Sequence, residues 1–174
     1  EFSSGIIIFF FNQAILKYIG EYALVSYTII SYVNTIVVMS MAGIAQGTQP
    51  LISYYYGKNE SEKYKKLLKY GMVAAAAGSV AAVLICYVGA ESIVGLFLKE
   101  SEASLSVYSV RVLRIFILSF LLAGLNVVLG GYFTSVEKAG FATMISLTRS
   151  LIALVISLVF LTAVFGGEAI WWAP

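Results

Sequence analysis

The stretch Gly43–Lys66, GIAQGTQPLISYYYGKNESEKYKK, changes character twice. A long apolar run pauses at Gln46-Gly47-Thr48-Gln49-Pro50, recovers over Leu51 to Tyr56, and becomes densely charged from Lys58. Proline has no backbone N–H, so Pro50 deprives the Gln46 carbonyl, four residues earlier, of its helical partner, and the ring crowds that carbonyl. At membrane depth such a break is tolerated only where neighbours, side chains or water in a cavity satisfy the freed group. The pattern predicts a long hydrophobic helix that bends near Pro50 and terminates near Gly57. Gln46, Thr48 and Gln49 either satisfy the break or face a wet cavity; the plainer alternative is a kinked helix whose glutamines meet water at the interface. Gly43 and Gly47 form a small-xxx-small pair, which lets another helix approach closely.

Composition points the same way. The chain has 174 residues, 60% hydrophobic and 11% charged, where a soluble domain carries about 25% charged residues. Apolar runs of about 18 or more residues recur, as a bilayer's hydrocarbon requires. The fold class expected is an all-α, polytopic transmembrane helical bundle. A net charge of +2, with no basic stripe interleaved with aromatics, argues against nucleic acid. Histidine is absent and Cys86 is the one cysteine, which excludes an internal disulfide, imidazole bases and a histidine- or thiolate-rich metal cage. No tightly bound cofactor is expected.

Five apolar segments can be drawn within residues 1–174, at about 5–19, 22–56, 70–90, 107–134 and 141–165, with the start of another at 170. The chain opens on Glu1 without a signal-peptide pattern and closes on EAIWWAP, whose tryptophans are of a kind found at membrane interfaces; a fragment cut at both ends is expected. Lys58, Lys63, Lys65, Lys66 and Lys69 crowd the loop after the second segment, so loop 57–69 is expected on the cytoplasmic side. Lys138 joins that side; Lys17, Lys99, Arg111 and Arg114 fall on the other, and Arg149 is unassigned. The run KNESEKYKKLLKYG reads either as an amphipathic helix lying on the membrane surface or as the solvated helical start of the third segment.

Polar groups inside apolar runs are the candidates for chemistry. Asn12 and Gln13 lie in the first segment, Asn34 in the second and Asn126 in the fourth. Tyr27 and Asn34, seven residues apart, share one helical face. Each amide either lines a cavity or glues helices together. Arg111 and Arg114 either guard an opening or anchor their helix, and Arg149 is expected to snorkel towards the nearer surface. Every glutamate falls in or beside a loop, or at the cut end. A coupled carrier needs an intramembrane carboxylate or a site of neutral oxygens, so the coupling site is expected outside this chain or built from such oxygens. No nucleophile, base and orienter occur together, so an enzyme is not expected.

The run AGIAQGTQPLISYYYGKNESEKYKKLLKYG resembles the motif that opens the later half of multidrug and toxic-compound extrusion (MATE) transporters. RVLRIFILSFLLAGLNVVLGGYFTSVEKA is similar to that family's tenth span, ISLTRSLIALVISL to its eleventh, and FGGEAIWWAP to the entry of its twelfth. The resemblance implies one six-helix lobe of a two-lobe transporter, its last helix truncated and its amino-terminal lobe missing. It further implies a multi-pass protein of the cytoplasmic membrane, with lipid around it, exporting drug-like organic compounds by alternating access, coupled to H+ or Na+. By the resemblance, Gln46, Gln49 and Pro50 are cavity lining and hinge, with Gly43, Gly47 and Gly57 as packing and terminating glycines. Tyr27, Asn12, Asn34 and Asn126 are added to the cavity from polarity alone. A lipid-linked saccharide flippase and a non-transporting membrane scaffold are the alternatives; a flippase cavity needs more cationic residues than this chain supplies.

Overall fold

A computed structural model describes residues 2–99, 102–148, 156–157, 160, 164 and 167–172. Every regular element among them is helical: α1 Phe2–Tyr18, α2 Tyr22–Gly57, α3 Ser61–Val88, α4 Ala90–Gly95, α5 Ala103–Phe116, α6 Phe120–Ser135 and α7 Ala139–Leu147. A 3-10 turn, Ile117–Ser119, joins α5 to α6, and a second 3-10 helix covers Gly167–Trp172. Among the described residues three stretches are long and apolar enough to cross a membrane, Tyr22–Gly57, Ser61–Val88 and Ala103–Ser135. The chain is a multi-pass helical membrane protein. At 36 residues and 1.5 Å per residue, α2 is about 54 Å long, more than the hydrocarbon thickness, so part of it projects beyond the apolar layer.

The helix ends explain several boundaries. The Glu60 N–H donates to the Tyr55 carbonyl and the Asn59 N–H to that of Tyr56, with Asn59 at φ 57°. This is a Schellman ending: α2 stops after Gly57, but the left-handed residue that turns the chain is Asn59. Glu137, at φ 60°, closes α6 in the same way through the Lys138 and Glu137 N–H groups. Beyond Asn59 the Glu60 carbonyl accepts from the Lys63 and Tyr64 N–H groups, and α3 is under way at Ser61. The lysine-rich run is therefore the first turns of α3, made of good helix formers, rather than a separate surface helix. The fourth apolar segment starts earlier than its hydropathy indicates, at Ala103, and its helix is interrupted at Ile117–Ser119. Of the fifth apolar segment, only residues up to 148 and a few beyond are described; Glu1, Glu100 and Arg149 lie outside the described residues.

The chain divides into two compact units. The first comprises Glu1–Val33, Ile85–Leu118 and Leu147–Pro174. Its core is aromatic. Phe11 of α1 stacks on Tyr27 of α2 with ring centroids 4.8 Å apart, and Trp171 lies 6.4 Å from Phe11. The Trp171 indole N–H donates to the Tyr108 hydroxyl at 3.0 Å, and Tyr108 meets Tyr22 edge-on. Trp171 is 1% exposed. The tryptophan read as an interfacial anchor is thus a core residue, while Trp172 is exposed. The buried hydroxyls of Ser26 and Ser109, 2.8 Å apart, satisfy each other between α2 and α5.

The second unit, Asn34–Leu84 and Ser119–Ser146, is held together by small residues. Ala45, Ala75 and Val128 meet at its centre, with Leu68, Met72 and Leu125 packed around them. A Cβ added to Gly124 would lie 2.4 Å from the Ser79 hydroxyl, 3.0 Å from the Met41 sulfur and 3.3 Å from the Ala75 carbonyl oxygen. At Gly71 it would meet Val128 at 3.3 Å and Thr48 at 3.5 Å. Lipid tails are as apolar as leucine, so close van der Waals contact, not exclusion of water, drives such helices together.

Gly124→Ala is expected to destabilise the protein by about 1–3 kcal/mol, because a short hydroxyl and a backbone oxygen must move. Gly130→Ala, whose Cβ meets nothing within 4 Å, serves as the control. Thermal unfolding of both variants in detergent checks this; equal midpoints would show that helix spacing does not depend on Gly124.

Candidate functional site

The candidate site is built on the part of α2 that belongs to the second unit. Ile36, Met39, Gly43, Gln46, Gly47, Pro50 and Tyr54 are all exposed; they recur at three- and four-residue intervals and form one stripe. Added Cβ atoms at Gly43, Gly47 and Gly57 would meet nothing within 4 Å. The small-xxx-small face is real, but among the described residues nothing lies against it. The opposite face of α2, through Met41, Ala45 and Ile52, is buried.

Pro50 sits inside the helix, which continues to Gly57. The carbonyl that Pro50 frees belongs to Gln46, on the exposed stripe, where the lost bond is cheapest. Thr48 does not repair it: its hydroxyl donates to the carbonyls of Ile44 and Ala45, at 3.1 and 2.9 Å. Ser40, Thr134 and Ser135 likewise bond back to their own helices. Ser53 acts differently, donating across to the Ser135 carbonyl at 3.2 Å and tying α2 to α6.

The two glutamines are separated. Gln46 is exposed beside the glycine pair, whereas Gln49 is half-buried and lies over α6, its amide nitrogen 2.8 Å from where a Gly131 Cβ would sit. Gly131 thereby makes room for the carboxamide. Asn34 and Asn126 are half-buried in this unit, and Asn12 is half-buried on α1 of the first unit, with Gln13 exposed beside it. Among the described residues none of these six amides has a side-chain hydrogen bond, and the one buried side-chain polar atom without a partner is the Arg114 Nε. The amide groups are therefore open to surrounding medium, with donors and acceptors unspent. Tyr27 is different: it is 8% exposed and stacked on Phe11, inside the first unit's aromatic core.

Sequence reading missed Gly124, Gly131 and the Ser53–Ser135 tie. Their signal was present as small residues at 124, 131 and 135, seven and four apart on one face, but nothing in the sequence says what they meet. In the first unit, Arg114 holds Glu91 of α4 at 3.2 Å and lies 5.2 Å from the Tyr87 ring centre. It pins α5 to α4 and the end of α3. Arg111 is exposed and, with Arg114, Glu91, Tyr87 and Trp172, lines an open concavity of about 790 Å³.

Comparison with known proteins supplies a family. The MatE family model matches residues 3–159. Multidrug export protein MepA of Staphylococcus haemolyticus (strain JCSC1435) is 24% identical over 154 residues, which make up 88% of this chain and 33% of that protein. A solved outward-facing conformation of a multidrug resistance MATE family transporter of the MOP superfamily superposes with a TM-score of 0.90 at 18% identity. A crystal structure of MATE in complex with MaL6 gives 0.91 at 19%. Each match covers 99% of this chain and 39% of the solved one. The chain spans about a third of the length of the curated relative it matches.

Tyr27→Ala is expected to cost about 3–5 kcal/mol, as a buried aromatic ring does, while Gln46→Ala, on an open surface, should stay within about 0.5 kcal/mol. Unfolding midpoints measured in detergent on the full-length protein separate the two. A large loss from Gln46→Ala would make that amide structural glue.

Proposed function

Because the chain belongs to the MatE family, we propose that it is one lobe of a membrane transporter that exports drug-like organic compounds by alternating access, driven by inward movement of a proton or sodium ion. The observation that carries this reading is the α2 stripe: an open glycine pair, an unspent glutamine and a proline-freed carbonyl on one face that no helix among the described residues covers. A second lobe is the occupant that fits such a face, with a cavity between the lobes. The printed name of the MepA relative, a multidrug export protein, supports the class of cargo.

Neutral amides suit that cargo. A carboxamide both donates and accepts, so Gln46 can meet ethers, amines or hydroxyls without demanding one charge pattern, and the adjacent glycines leave room for bulky rings. Gln49 sits further in, over Gly131, and Asn34 and Asn126 are further half-buried amides on α2 and α6. Tyrosine faces supply attraction for organic cations. Pro50 is the hinge: with one ladder bond gone, α2 bends there at less cost than elsewhere.

The positions of the described carboxylates support a coupling site that lies outside this chain or is built from neutral oxygens. The described glutamates lie at helix ends, in short helices or in turns: Glu21 before α2, Glu60 and Glu62 at the start of α3, Glu91 in α4, Glu102 before α5, Glu137 after α6 and Glu168 in the 3-10 helix Gly167–Trp172. None is deep within a long helix, where protonation or ion binding changes a buried charge. This supports a coupling acid in the other lobe or a site of neutral oxygens, and the excess of lysines supports a cytoplasmic position for the start of α3.

In efflux-deficient cells expressing the full-length protein, a fluorescent organic cation should be excluded, and dissipating one of the two gradients, proton or sodium, should abolish exclusion and so identify the coupling ion. Pro50→Ala should lower efflux roughly tenfold at equal membrane abundance, an effect of about 1.4 kcal/mol on the transport barrier. Unchanged efflux would remove the hinge. Lys58 to Lys69 should be modified by membrane-impermeant reagents in inside-out vesicles and spared in intact cells; the reverse pattern would invert the topology.

A further inference from the structure

The first turns of α3 carry charge that the described residues do not fully neutralise. Glu62, Lys65, Lys66 and Lys69 recur at three- and four-residue spacing, and with Lys63 they line a shallow concavity of about 530 Å³. Lys63 is bound to Glu60, and Lys66 lies 5.8 Å from the Tyr70 ring centre. Lys65 and Lys69, one turn apart, have no ion-pair partner among the described residues. Like charges at that spacing destabilise a helix, so an anion held there relieves a cost.

Two further observations specify the anion. Rings pass from helix to helix at this end of the second unit: Tyr56 to Tyr64 at 5.6 Å, Tyr64 to Tyr132 at 6.5 Å, Tyr132 to Phe133 at 5.4 Å and Phe133 to Phe141 at 5.7 Å. Lys58 and Lys63 lie over the rings of Tyr54 and Tyr55. Tyrosines collect where apolar rings and wet hydroxyls are both satisfied, at headgroup level. The same side of α3 then continues below Lys69 as Val73, Val80 and Leu84, all exposed and apolar; these positions fall in register with Lys65 and Lys69 at 3.6 residues per turn. A phosphate above and an acyl surface below is the outline of a phospholipid.

We infer that the Lys63–Lys69 face of α3 is a binding site for an anionic phospholipid, its phosphate held by Lys65, Lys66 and Lys69 and its chains laid along Val73, Val80 and Leu84. An acidic protein segment matches the lysines but leaves the apolar continuation unused. The site is independent of cargo transport.

Binding is measured on the full-length protein in neutral detergent by native mass spectrometry, with phosphatidylglycerol and phosphatidylcholine of identical chains. Phosphatidylglycerol should bind at least about tenfold more tightly, and the gap should narrow as salt screens the lysines. Replacing Lys65, Lys66 and Lys69 together with glutamine should cost roughly ten- to a hundredfold in phosphatidylglycerol affinity, each lysine near a membrane surface contributing several-fold, and leave phosphatidylcholine unchanged. A variant with three arginines should retain the preference. An intact preference in the glutamine variant would overturn the site, as would a salt-insensitive preference in the unmodified protein, which is read without any variant. Glycerol phosphate or a polyglutamate peptide binding as tightly as the lipid would overturn the lipid assignment.

Discussion

The close approach of α6 to α2 and α3 sets the geometry of the second unit, and it depends on side chains that are missing. At Gly124 the space a Cβ needs is taken by Ser79, Met41 and the Ala75 carbonyl; at Gly131 it is taken by the Gln49 carboxamide. In lipid, apolar surface gains little from leaving its surroundings, so helices stay together through dense contact and a few cross-helix hydrogen bonds. The Ser53–Ser135 bond is one of these. Around that contact Ala45, Ala75 and Val128 are buried.

That contact also decides what α2 can do. By burying Met41, Ala45 and Ile52, it turns Gly43, Gln46, Gly47 and Pro50 outward. The weakest point of the helix ladder, the carbonyl freed by Pro50, lies on the open side with a glutamine next to it. A backbone defect and a polar side chain are expensive at membrane depth unless water or a partner is near. Their position on the uncovered face is what supports reading that face as the wall of a cavity. Gln49, three residues on, lies over Gly131 of α6 instead, so a single turn of helix separates a half-buried amide from an exposed one.

Charges sit at helix ends in both units. In the first, Arg114 is held by Glu91 and the face of Tyr87, so it anchors α5. In the second, the lysines of α3 stand just beyond a chain of touching rings, with fewer acidic partners than they need. Arginine's flat fork suits a fixed pairing, while lysines on flexible stems suit a headgroup that exchanges.

How much was legible follows from what hydropathy reports. It measures preference for lipid over water, so the apolar runs, Pro50 inside the second of them and the absence of the described glutamates from the middle of long helices were all readable. So was the family, through the Gln46–Pro50 motif and the tyrosines after it. Hydropathy is silent about which apolar surface meets protein and which meets lipid, since both are apolar. Hence the burial of Trp171, the core position of Tyr27, the different surroundings of Gln46 and Gln49, and the helical start of α3 at Ser61 emerged only from the folded chain. The sequence by itself determined that these helices belong in a membrane and where they are weak. Tertiary structure decided which face of each helix is covered, because that depends on the fit of Gly124 and Gly131 to residues more than forty positions away, a match of shapes that no local pattern records.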